Sequence, residues 1–389
     1  MIGQTWPSEM RALKDEKTGR AITQLTTTGN NVHLYFTENS FDAHQPAIIF
    51  CSDRASGDDR APHEDPLYNL FRMDLNTGEM TQLTDETESA LFGVTKTPDS
   101  QIVVYLAGNQ VKKLDPETGQ TTVIYAESGS YSLGAPSIAR NRRYVAFTRN
   151  EKVEVPRGPN YAGFKESYYA IKDGRITLAY LDGSGWFDVF KDTHWLGHFQ
   201  FCPDDSTLAT FCHEGPWNLV TQRIWFLDFA AREARPCFRQ DEHDSIGHEF
   251  WTQDGFVFFD NRGPGHDGTI TSSRTQAVAT EVAVKAGAMV PFVGLVDRRG
   301  NVVRRIDMPY YCNHYHANPD NTRLVGDDVD DLVLIDISGE QAALEVLCHH
   351  GTSWHTQSSH CHPTWSWDGS RILYASDRGG RVNLYMIDL

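Results

Sequence analysis

A short unit recurs seven times along the chain, and its last copy is cut in two. Each unit is a turn rich in Pro, Asp, Asn and Gly, followed by a short apolar run and often a second turn. The clearest copies are TPDSQIVVYLAG from Thr97, CPDDSTLATFCHEG from Cys202, TQDGFVFFDNRG from Thr252, NPDNTRLVGDD from Asn318 and SWDGSRILYASDRGG from Ser366. Fainter ones are ARNRRYVAFTRN from Ala139 and NSFDAHQPAIIFCSDRASG from Asn39. The copies lie roughly 40 to 65 residues apart, room for about four short antiparallel strands each, the content of one propeller blade.

The chain ends on NLYMIDL, an echo of NLFRMDL from Asn69. Only the earlier copy is followed by its next strand, TGEMTQLT; the matching piece, TGRAITQLT, stands at 18–26 instead. An N-terminal strand that completes the last blade leaves no outer edge unpaired. The expected fold is therefore all-β, a seven-bladed β-propeller forming one domain over 1–389. A pair of β-sandwiches would leave the split copy unexplained. Two insertions interrupt the spacing. The first, 154–174, is expected to carry a short helix. The second, 276–294, reads as an apolar strand region with an Ala/Gly turn.

The formal net charge is −17. Such a chain is not expected to bind nucleic acid or an anionic membrane, and any anionic substrate must be attracted locally by a metal or a few arginines. No apolar run approaches the roughly 20 residues that span a bilayer, and the first residues lack the apolar core of a signal peptide. The seven scattered cysteines do not resemble a disulfide framework. A reducing, cytoplasmic setting is the expectation. Nucleophile-elbow and phosphate-loop motifs are absent.

Sixteen histidines are unevenly placed, and QSSHCH at 357–362 is the densest cluster. On a strand, His360 and His362 share a face while Cys361 points away. Ser358 and Ser359 suit a turn that swings the Gln357 amide back. Two neighbouring imidazoles chelate ions such as Zn, Cu, Fe or Ni, whereas an amide oxygen favours harder ions such as Mn. A third histidine is available from another blade. The alternative is a pair of hydrogen-bonded histidines lining a pore.

Several stretches together resemble the oligogalacturonide lyases. They are TQLTDET (81–87), HWLGHFQFCPDDSTLATFCHEGP (194–216), LVTQRIW (219–225), GHEFWTQDG (247–255), CNHYHANPDNTRLVGDD (312–328) and HGTSWHTQSSHCHP (350–363). The resemblance implies a cytoplasmic propeller that cleaves short oligogalacturonates, small anionic oligosaccharides, by β-elimination with a divalent metal, typically Mn²⁺. It implies a metal set of Gln357, His360, His362 and one histidine before the valine-glycine-aspartate stretch. The family's spacing favours His314, leaving His316 as a substrate contact or without a role. It places His248 and Arg223 around the scissile bond, His248 as the candidate base. His198, His213 and Glu214 are candidate contacts to substrate hydroxyls, with buried inter-blade hydrogen bonds as their plain alternative. The short acidic run 327–331 and a loose match around 32–41 depart from the family pattern. Other functions consistent with the residues are a metal-dependent hydrolase or isomerase on another acidic sugar, and a non-enzymatic propeller scaffold.

Overall fold

The computed structural model describes residues 1–57, 60–89, 91–156, 162–263, 270–287 and 290–389. They form seven antiparallel sheets of four or five strands, each built almost wholly from consecutive chain segments. In chain order the sheets span 31–82, 91–126, 131–192, 196–236, 246–307, 315–349 and 364–388.

The repeat's turn is the hairpin between the first two strands of a sheet, and one conformation explains its composition. In Thr97–Ser100, Ala139–Arg142, Thr252–Gly255, Asn318–Asn321 and Ser366–Gly369 the fourth amide donates to the first carbonyl, at 2.8–3.1 Å. In each the fourth residue is left-handed, with φ between 53° and 81°. Gly and short polar residues adopt that region most cheaply, and they fill it in four of the five, Arg142 being the exception. In three of these turns the first hydroxyl also donates to the Asp two places on: Thr97 to Asp99, Thr252 to Asp254 and Ser366 to Asp368, at 2.6–2.7 Å. The apolar run that follows becomes the second strand, as in Val103–Ala107 and Val257–Asn261, both wholly buried.

The split copy is completed as expected. Ala21–Gln24 pairs with Asn383–Asp388, Thr23 opposite Met386 and Gln24 opposite Tyr385. Arg11–Lys14 adds a further strand outside it. A feature not expected is Thr5–Trp6, which pairs with Met80–Gln82 at the outer edge of the first sheet.

The insertions divide. The first carries helix α1, Phe164–Ala170; its positions 157–161 lie outside the described residues. The second departs from the expected strand: helix α2 occupies Arg274–Lys285, and strand resumes only at Phe292–Val296. Its alanines are strong helix formers. The Ala/Gly pair read as a strand turn is the helix end: Ala286 N–H donates to Val282 O, and Gly287 takes φ 70°.

The chain forms two compact units. The first is Met1–Thr122, Cys312–Asp336 and Ala343–Leu389; the second is Val123–Tyr311 with Ile337–Ala342. In the first, Phe50, Phe71 and Met73 pack with Leu25, Leu373 and Leu384, while Val325, Leu332 and Leu347 pack with Ile372, Tyr374 and Ile387. In the second, Ala146, Ile176 and Leu178 pack with Phe199, Phe201 and Phe211. All seven cysteines are free and buried. Among the described residues no helix is long and apolar enough to cross a membrane.

Candidate active site

In the first unit His314, His360 and His362 bring one ring nitrogen each within 4.8 Å of one another. All three are buried. Ring centroids lie 4.3 Å apart for His314 and His362, 5.5 Å for His314 and His360, and 5.6 Å for His360 and His362.

The route to this convergence differs from the expected strand face. Gln357–Ser359 is a short 3-10 turn, and the strand begins only at Thr364–Trp365. His362 reaches the cluster from a left-handed backbone with φ 44°. Cys361 does point away, into the apolar core. Its carbonyl accepts from Ala375 N–H (3.0 Å) and lies 3.0 Å from His33 Nε2, so the intervening backbone is pinned from two sides.

Asp327 holds His314. Its carboxylate accepts from the His314 backbone N–H at 2.6 Å and from Nδ1–H at 2.9 Å. With the proton on Nδ1, Nε2 is the ligating nitrogen of the ring. Gln357, on the exposed side, donates its amide N–H to His362 Nε2 at 3.2 Å, so the carboxamide is within reach of the cluster. Burial, then the neighbouring His314, pushes the His360 pKa down to about 3. Burial, with His314 and His360 beside it, holds His362 well below its ordinary value. Both are therefore neutral, the form that binds a metal. Tyr35 and Phe36 pack against His362, and Trp354 against His360 and His314. Three buried imidazoles, an amide and a carboxylate behind one of them suit a divalent ion.

His316 lies outside this group. Its Nδ1 accepts from Trp365 N–H (3.0 Å) and its carbonyl from Trp365 Nε1–H (3.1 Å). It ties the sixth sheet to the seventh. Sequence reasoning assigned no part to His33, Tyr35, Phe36, Trp354 or Asp327. Of these only Asp327 carried a signal, as the aspartate closing the valine-glycine-aspartate stretch.

In the second unit Arg223 is buried between two carboxylates. Its Nη1 contacts Glu214 Oε1 at 3.2 Å and its Nε contacts Glu249 Oε2 at 3.4 Å. Burial opposes its charge, but the anionic neighbours outweigh that and hold its pKa above the ordinary value. His198 sits between the same carboxylates, Nδ1 3.1 Å from Glu249 and Nε2 3.4 Å from Glu214. It projects from a bulge in Leu196–Cys202 with φ 47°. A Cβ on the preceding Gly197 would stand 2.7 Å from Glu214 Oε2, so a side chain there would displace the Glu214 carboxylate.

His248 lies 6.2 Å from His198 between ring centroids, with the Trp217 ring edge-on at 5.4 Å. Its backbone N–H donates to Asp260, whose other oxygen takes Arg262 Nε–H at 3.0 Å. Arg262 stacks between Trp217 and Tyr311, 4.5 and 4.6 Å from their ring centroids. His213 is engaged elsewhere: Nε2 lies 3.1 Å from Asp192, and its ring stacks on His194 at 4.0 Å. Burial, then His194, lowers its pKa to about 4. Thus His198, Glu214, Arg223 and His248 form one group, and His213 stands beside it with Asp192 and His194.

Seven such sheets with their terminal closure define the class as a seven-bladed β-propeller, and its solved relatives agree. The chain aligns over 100% of its length with 98% of a structure described as oligogalacturonate lyase in complex with manganese, at TM-score 0.82 and 23% identity. A sequence model of the oligogalacturonate lyases matches residues 2–389, so the chain belongs to that family and is a lyase. It is 25% identical to the oligogalacturonate lyase of Dickeya dadantii, over 96% of this chain and 94% of that one. It is 24% identical to the oligogalacturonide lyase of Pectobacterium atrosepticum, over 99% and 97%.

Proposed function

We propose that the protein is a metal-dependent lyase that cleaves short oligogalacturonides by β-elimination, leaving a 4,5-unsaturated uronide. The observation that carries this reading is the buried His314–His360–His362 group with Asp327 behind His314. The metal is a divalent cation on His314, His360, His362 and Gln357. Manganese is favoured by the amide ligand and by the relative described as a manganese complex.

The uronate C5 proton is weakly acidic because the adjacent carboxylate is already negative. A divalent ion at these residues supplies charge neutralisation of that carboxylate and of the charge that develops as the proton leaves. His248 is the candidate base, held by the Asp260 contact to its backbone and by the Trp217 edge. Arg223 is unsuited to that task, because Glu214 and Glu249 stabilise its protonated form. It serves instead to hold these two carboxylates in place and to offset their charge. His198, His213 and Glu214 are candidate substrate contacts. His316, tied to Trp365, is assigned a supporting part rather than a ligand position.

The test is digalacturonate and trigalacturonate with Mn²⁺, followed by the ultraviolet absorbance of an unsaturated uronide. A rising signal abolished by chelator supports the reading. A flat trace with one equivalent of metal bound would move the assignment to another acidic sugar or to hydrolysis. A flat trace with no metal bound would sink the metal site as well.

A further inference from the structure

β-Elimination needs a second proton transfer, because the C4–O bond breaks onto a sugar oxygen that leaves poorly as an anion. We propose that His198 is the acid that protonates this departing oxygen, paired with His248 as the base. The inference rests on the lyase reading above and adds a residue role to it.

The geometry carries it. Among the described residues His198 is one of two histidines with left-handed backbone, φ 47°, and it lies where the register of Leu196–Cys202 breaks between Gly197 and Gln200. A non-glycine residue in that region is held there at a cost by its surroundings. Here the bulge turns the ring to lie between Glu249 Oε1 at 3.1 Å and Glu214 Oε2 at 3.4 Å. Two carboxylates and Arg223 leave the group one positive charge short of balance, and an imidazolium supplies it. Burial opposes that charge, but Glu249 and then Glu214 outweigh it, and His198 is raised above the ordinary histidine value despite Arg223 nearby. Also facing it are the neutral Cys212 thiol, whose pKa burial pushes far up, and the His248 ring. The side chain remains 21% exposed, so the ring is accessible. The Nε2–H contact to Glu214 is long for a hydrogen bond, and an incoming oxygen could take its place.

The balance is simple. His248 takes the C5 proton, the C5–H electron pair forms the C4=C5 double bond, and the C4–O pair goes to the departing oxygen with the proton from His198. One histidine gains a proton and the other loses one, so exchange with water resets both.

The experiment compares wild type with His198→Gln on digalacturonate and on a 4-deoxy-4-fluorogalacturonoside, whose fluoride leaves with little need of a proton. The variant is expected to lose on the order of 10²–10⁴-fold on digalacturonate and less than about 10-fold on the fluoride. It should also lose the basic limb of its kcat/KM profile. Glu249→Gln, which keeps the histidine, should move that limb to lower pH. Equal losses on both substrates, or a basic limb unchanged in both variants, would overturn the acid role alone. A wild type that forms unsaturated product from neither compound would remove the lyase reading and this role together.

Discussion

Asp327 accepts two hydrogen bonds from one residue, His314: the backbone N–H at 2.6 Å and the ring Nδ1–H at 2.9 Å. The double contact fixes both the position and the tautomer of the imidazole. Asp327 thereby sets the direction of the His314 ring. Asp327→Ala is expected to weaken manganese binding about 10- to 100-fold. Calorimetric titration of the metal-free protein would measure it. Unchanged affinity would show that His314 needs no such support.

Metal binding should also appear as stability, because the three histidines come from segments 46 residues apart in the chain that meet only when folded. At free Mn²⁺ about 100 times its Kd the gain is about 2.7 kcal/mol. In thermal melts the wild type should rise with Mn²⁺ and fall with chelator, while His360→Ala should respond to neither. A variant that still shows the metal-dependent rise would exclude His360 as a ligand.

The fold was legible because its turns are chemical. A left-handed fourth position restricts residue type, so Ser100, Gly255, Asn321 and Gly369 mark their hairpins in sequence. The Gln357–His362 cluster was legible for a similar reason, as few residue types chelate. Its geometry was not: the histidines converge through a 3-10 turn and a left-handed His362, not through strand alternation. Helix α2 was misread because an Ala- and Val-rich segment suits strand and helix alike. The Arg223 surroundings were hidden for another reason. Glu249 stands beside the expected His248 in sequence, yet its carboxylate meets Arg223 and His198 only because its sheet, 246–307, packs beside the sheet 196–236.

His350 gives the acid side of the stability profile a defined slope. It is wholly buried; its Nε2–H donates to Asp328 O at 3.0 Å and its Nδ1 accepts from Thr352 N–H at 3.1 Å. Burial is the main cause that brings its pKa down to about 4. Unfolded, it titrates near about 6.5. Between these values the unfolded chain binds the extra proton, so stability falls as pH drops from about 6.5 to about 4 and this contribution then levels off. From pH 7 to pH 5 the loss from this one group is about 2 kcal/mol. His350→Gln, measured by urea unfolding in chelator, should be less stable at pH 7 yet lose about that much less on acidification. An equal loss in both proteins would show that His350 is not the titrating group.

The seventh sheet depends on the first residues of the chain. Leu25 N–H donates to Leu384 O at 2.8 Å, and the Thr26 hydroxyl bridges Asn383 and the Leu384 amide. Arg20 pairs with Glu345, and Lys17 with Asp331, which joins this strand to the sixth sheet too. Leu25 is wholly buried, packed with Phe50, Leu373 and Leu384. Leu25→Ala should cost about 2–5 kcal/mol, the range for a buried leucine that leaves a cavity. Removing residues 1–26 should do more, because it bares the edge of Asn383–Asp388, whose buried NLYMI face and open backbone groups then template association. Light scattering on heating would register it as earlier aggregation than in Leu25→Ala. A truncated chain that melts like the full one would mean the terminal strands are dispensable to the last sheet.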